Sequence, residues 1–214
     1  MKVAKALRTH NHPSINLQPP TIDVNWNWLE ALAAAGNLAY TVLMLYERRI
    51  GWAFGFVASA LGVALFLHSQ VYAQAALSAY YMAMGAYGWW SWGRHNGKEL
   101  SITRRPAEFH AAMIVGGLLL AGAINFLLLL MRDAQFTVLD GFATAFSLLA
   151  TWMLARKILE NWAYWIAADL VAIVLYALLG LWWYAALYAI YVGLSIAALI
   201  RWGKQLRAKE RASA

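Results

Sequence analysis

An aspartate stands in the middle of the run "NWAYWIAADLVAIVLY", which is otherwise apolar and aromatic. An ionisable side chain inside such a segment is costly to place in a bilayer, and it marks a functional site by default. Trp162, Trp165 and Asp169 fall at i, i+3 and i+7, so they share one helical face. Tyr176 extends the stripe two turns further. A carboxyl group walled by indoles suits a flat molecule that is cationic or rich in hydroxyls. Cation–π attraction is worth ~2 kcal/mol when desolvated, and a carboxylate accepts strong hydrogen bonds from hydroxyls and amides. The competing account is a structural Asp bonded to a neighbouring helix, with the tryptophans as an interfacial belt. The belt suits Trp162 better than Trp165, and it leaves Asp169 unexplained.

The elements that hold this stripe must be membrane helices. Hydrophobic residues are 63% of the chain and charged residues 13%, against about half and a quarter in soluble domains. A helix needs about 20 residues to cross a bilayer core. Seven such segments are read, at Trp28–Tyr46, Ile50–Leu67, Val71–Trp92, Phe109–Met131, Val138–Ala155, Trp162–Leu179 and Trp182–Trp202. Residues 1–27 form an extramembrane tail without the apolar core of a signal peptide, 93–108 a polar loop, and 203–214 a second tail. The net charge of +7 is read as the usual excess of Lys and Arg on the cytoplasmic side, not as a nucleic-acid surface. Of the 17 basic residues, 4 fall on the N-terminal side and 13 on the other. The expected topology is N-terminus out, C-terminus in.

A shift of 110 positions lays Trp52 on Trp162, Tyr81 on Tyr191 and Trp92 on Trp202 without a gap. Helices one to three then repeat as five to seven. Three spans would invert a directly fused copy, so helix four restores the direction. The expected architecture is all-α and integral to the membrane, with seven transmembrane helices in a 3+1+3 parallel-repeat arrangement. Such symmetry places a substrate near the midplane between halves. The first-half counterpart of the Trp162 face is Trp52, Gly55 and Ser59, which lacks the charge. Gln74, Tyr81, Tyr191 and Asn37 join the candidate lining. Each alone also fits a helix–helix hydrogen bond. Trp89, Trp90 and Trp92 are read as an interfacial belt, and Asn125 as a packing residue in helix four.

No enzyme chemistry stands out. The 5 histidines form no metal spacing within a span, and no phosphate-cradling loop or nucleophile elbow is present. Cysteine is absent, which excludes disulfides and thiolate metal sites. No cofactor is expected.

The pattern Trp162, Trp165, Asp169, together with "YYMAMGAYGWWSW" and the loop "ELSITRR", resembles the PnuC family of vitamin-precursor transporters from about Trp26 to Trp202. The resemblance implies the 3+1+3 fold, kinship with the SWEET sugar transporters, homotrimers and a bacterial inner-membrane location. It implies facilitated uptake of nicotinamide riboside by alternating access, held in the cell by a cytoplasmic kinase. It places the ligand against Trp162, Trp165 and Asp169. The last position is Asp here where the family also uses Asn, and thiamine is another flat cation that relatives of this fold carry. A non-transporting receptor or scaffold is the reading from a different class.

Overall fold

The computed structural model describes residues 26–68, 72–93, 99–131 and 135–213. The expected tail up to Asn25 and residues 94–98 of the expected polar loop lie outside the described residues. The described chain is helical throughout: α1 (Trp26–Leu45), α2 (Gly51–His68), α3 (Tyr72–Ser91), α4 (Ala107–Leu129), α5 (Thr137–Ala155), α6 (Asn161–Leu178) and α7 (Trp182–Ser213). Six of the seven match the expected segments to within two residues at each end. The seventh does not stop at Trp202. It runs on for eleven residues to Ser213, because "GKQLRAKERAS" has no proline and is built mostly from good helix formers.

Five helices, α2, α4, α5, α6 and α7, are long and apolar enough to cross a membrane. Among the described residues of α1, Ala35–Leu45 is apolar. α3 spends its length on Gln74, Ser78, Tyr80, Tyr81, Tyr87, Trp89 and Trp90. Gln74, Ser78, Tyr80, Tyr81 and Tyr87 are partly buried against protein, whereas Trp89 and Trp90 are exposed.

The helices close into a ring. α1 packs on α2, α2 on α3, α3 on α5, α5 on α6, α6 on α7, and α7 back on α1. α4 stands outside and packs chiefly on α5, with His110 reaching the Tyr164 hydroxyl of α6 at 3.2 Å. Gly141 allows that approach: a Cβ there would lie 2.8 Å from the Ala121 carbonyl oxygen and 3.1 Å from the Asn125 nitrogen. Asn125 itself is enclosed at this contact, and its Oδ1 finds no hydrogen-bond donor.

The 110-residue shift maps this ring onto itself, since the α1–α7 contact becomes the α5–α3 contact. The match extends to single residues. The turn after α1 puts Glu47 at φ 54°, and the turn after α5 puts Lys157 at φ 50°. Glu47 N–H donates to Met44 O at 3.0 Å, and Lys157 N–H to Leu154 O at 2.9 Å. Trp52 meets Trp92 edge-on at 5.6 Å, and Trp162 meets Trp202 edge-on at 5.4 Å. Trp92 and Trp202 then touch at 6.0 Å, so the four indoles form one cluster. Trp92 therefore departs from the expected lipid belt. It is 6% exposed, whereas Trp90 is 62% exposed and does face outward.

Candidate functional site

Asp169 is buried, at 3% exposure, in the third turn of α6. Tyr81 of α3 and Tyr188 and Tyr191 of α7 lie within electrostatic range of its carboxyl group. α3 makes no backbone packing contact with α6 or α7. Tyr81 therefore reaches Asp169 across the interior of the ring. Ser147 of α5 lies beside the Tyr81 hydroxyl, and its own Oγ donates to Ala143 O at 2.7 Å. Tyr80, the next residue, turns to the helix interface and donates to Leu148 O at 2.8 Å.

A row of tyrosines runs from this centre toward the first turn of α7. Tyr191 meets Tyr188 edge-on at 5.8 Å. Tyr188 stacks on Tyr176 at 5.2 Å, and Tyr176 stacks on Tyr184 at 5.3 Å. Tyr184 is half exposed. Tyr184, Tyr188 and Tyr191 are at i, i+4 and i+7, one helical face. Sequence reasoning missed Tyr188, although this spacing carried the signal.

Of the residues singled out in the sequence, the structure thus brings together Tyr81, Asp169 and Tyr191. Trp165, one turn before Asp169, is half-buried and packs against both apolar cores. Trp162 and Trp52 stand apart from the carboxyl group. They belong to the buried indole cluster, which Trp162 enters about 10 Å of helix rise from Asp169. The Nε1 atoms of Trp52, Trp92 and Trp162 lack hydrogen-bond acceptors, while Trp202 Nε1 donates to Leu45 O at 3.2 Å. Gln74 is half-buried on α3, two turns before Tyr81, and Asn37 is exposed on α1.

The chemistry of this centre is recognition rather than reaction. It offers one carboxyl group, phenol oxygens and aromatic faces. No Lys or Arg occurs in α1 to α6, or in α7 before Arg201.

The family model described as "Nicotinamide mononucleotide transporter" matches residues 27–204. The chain belongs to that family. Two curated relatives, each named nicotinamide riboside transporter PnuC, come from Escherichia coli (strain K12) and Shigella flexneri. Each is 25% identical, over 87% of this chain and 89% of its own length. A crystal structure of the vitamin B3 transporter PnuC shares the fold, with a TM-score of 0.68 at 19% identity, over 85% of this chain and 83% of that one. Family and fold make this chain a membrane transporter, in keeping with its apolar helices.

Proposed function

We propose that this chain is a facilitator for nicotinamide riboside in a bacterial inner membrane. The observation that carries the reading is the buried Asp169, with Tyr188 and Tyr191 of the adjacent α7 and Tyr81 of α3 near its carboxyl group, in a ring that holds no basic residue at its centre. Nicotinamide riboside is a flat pyridinium cation with a carboxamide and ribose hydroxyls. The carboxyl group attracts the ring charge, the aromatic faces favour the flat cation, and the phenol and carboxyl oxygens accept from the hydroxyls. The mononucleotide adds a phosphate, for which this centre offers no cation and one like charge. Phosphorylation by a cytoplasmic kinase would therefore trap the product, because the product no longer fits the site.

In this reading all seven helices span the membrane as 3+1+3. Residues 28–92 and 138–202 are parallel halves, 109–131 is the linker helix, and 93–108 and the residues after 202 are cytoplasmic. The repeated turns and indole pairs support the two halves, and the basic residues Arg48, Arg49, Arg104, Arg105, Arg156 and Arg201 at one end support a C-terminus inside. The halves rock about Asp169 and expose it alternately. Trp165, Tyr81, Tyr191 and Tyr188 contact the ligand, with Gln74 and Asn37 along the passage and Trp162 and Trp52 at its basic end. A homotrimer follows from the resemblance to PnuC.

Calorimetry on the purified protein in detergent tests this, with nicotinamide riboside, thiamine and nicotinamide mononucleotide compared side by side. The riboside should bind best and the mononucleotide weakest, and Trp165→Ala should weaken the riboside. Preference for thiamine would keep the site and replace the substrate. Binding of none of the three would favour the scaffold reading.

A further inference from the structure

Glu47 and Lys157 are 110 positions apart and joined by a salt bridge of 2.9 Å. They are repeat mates, so the bond lies across the pseudo-two-fold relation between the halves. It ties the α1–α2 turn directly to the α5–α6 turn. Both residues occupy the left-handed region, which a non-glycine residue adopts at a cost, so both turns hold their side chains in fixed directions. The Lys157 ammonium also lies 4.5 Å from the centre of the Trp92 ring, and Lys157 is 8% exposed.

Around this bond the basic end of the ring is closed. The four indoles of Trp52, Trp92, Trp162 and Trp202 fill the level next to it. Ser91 Oγ donates to Ala155 O at 2.9 Å. Its counterpart across the repeat is Trp202 Nε1 donating to Leu45 O, the carbonyl 110 positions before Ala155. The loop before α4 lies over the same point. Thr103 N–H donates to Lys157 O at 2.9 Å and Leu159 N–H to Thr103 O at 2.8 Å. Lys209, on the extension of α7, donates to Ser101 Oγ at 2.6 Å. An outer recess of about 220 Å³ remains, lined by residues including Glu47, Glu99, Ser101, Lys157 and Lys209.

We infer that the Glu47–Lys157 pair is the latch that holds this end of the transport passage shut, and that the loop through Thr103 straps it. The inference rests on the alternating-access reading and adds its gate. Opening this end must part the two halves, and the pair is the one charged bond described between their repeat-related turns. Both partners line the outer recess, so water reaches the bond when it breaks. A latch of this kind is weak enough to cycle.

Thiol accessibility tests it. The chain has 0 cysteines, so Ser147→Cys makes a single reporter at the centre of the ring. The reporter protein is reconstituted in vesicles, and a membrane-impermeant maleimide is added on the side of the basic loops. Glu47→Asn and Lys157→Asn remove one charge each, and asparagine accepts the left-handed backbone. Each should speed labelling roughly fivefold, the range of a partly exposed ion pair. The reversed pair, Glu47→Lys with Lys157→Glu, should restore slow labelling. Unchanged labelling in both single variants, or fast labelling in the reversed pair, overturns the latch. Labelling needs no substrate, so a wrong substrate leaves this result standing, and riboside binding scores that reading separately.

Discussion

At the scale of single residues, the centre of the ring holds one carboxyl group, with tyrosines beside it on α7 and Tyr81 across from it on α3. Asp169→Ala removes the charge and its acceptor oxygens but leaves Tyr81, Tyr188 and Tyr191 in place. A hydrogen bond to a charged group is worth about 2 kcal/mol, or roughly a thirtyfold loss of affinity. Calorimetry should read that loss for nicotinamide riboside. Asp169→Asn keeps the shape and one acceptor, so it should fall between wild type and alanine. Equal affinity in all three would remove the carboxyl group from the site. Tyr188→Phe is the finer test. It retains the ring that stacks on Tyr176 at 5.2 Å and deletes only the hydroxyl. A weakening of about three- to tenfold, with unchanged thermal stability, would place that oxygen on the ligand, in the range of a neutral hydrogen bond. Asp169 was legible in the sequence because an acid in an apolar helix is conspicuous. Tyr188 was not, because its repeat mate is Ser78 and tyrosines are common in this chain. Trp92 was misread for the converse reason. Next to Trp89 and Trp90 it looks like part of a lipid belt. Its registration with Trp202 was the better clue, since a belt needs no register between repeats.

At the scale of helices, the segments were readable from apolar length, and their contacts were not. α2 and α3 pack closely because small residues of one meet large residues of the other. A Cβ on Gly88 would run into the Trp52 indole, and a Cβ on Gly85 would lie 3.0 Å from the Phe56 backbone. Nothing in the spacing of these glycines says which neighbour fills the gap. The same limit applies to α4. Its apolar length announces a span, yet only the structure shows it outside the ring with Gly141 against it. Gly88→Ala is therefore expected to displace Trp52, the indole that anchors Trp92 at 5.6 Å. Overpacking of this kind costs about 2 kcal/mol, which lowers the unfolding midpoint by about 5 °C in a chain of this size. Gly116→Ala is the control, since a Cβ there meets nothing within 4 Å. It should leave the midpoint unchanged or raise it slightly, because alanine favours the helix. A thermal-shift assay in detergent compares the two. Equal midpoints would mean that the Trp52 level tolerates repacking.

At the scale of the molecule, the proposed halves carry different chemistry. Asp169 has Ser59 at the matching position 110 residues earlier and Ser147 has Asn37, so in the proposed reading the frame repeats while the ligand contacts do not. An asymmetric ligand needs that difference. The same asymmetry bears on energetics. An ion-coupled carrier requires a second titratable or cation-binding group whose occupancy changes with the substrate. In the ring, Asp169 is the acid that faces the tyrosines across the interior. Asp140, another acid of the ring helices, lies in the first turn of α5, where Thr144 Oγ1 donates to it at 3.3 Å and where it complements the helix dipole. Net uptake would then be driven by the substrate gradient alone, kept steep by phosphorylation inside. Exchange of labelled for unlabelled nicotinamide riboside across proteoliposomes isolates the carrier from that trap. A protonophore should leave the initial exchange rate unchanged within about a factor of two, because rocking between two faces of an occupied site consumes no external gradient. Collapse of exchange on adding the protonophore would show that protons take part in the cycle, and Asp169 would then have to serve as both ligand contact and proton carrier.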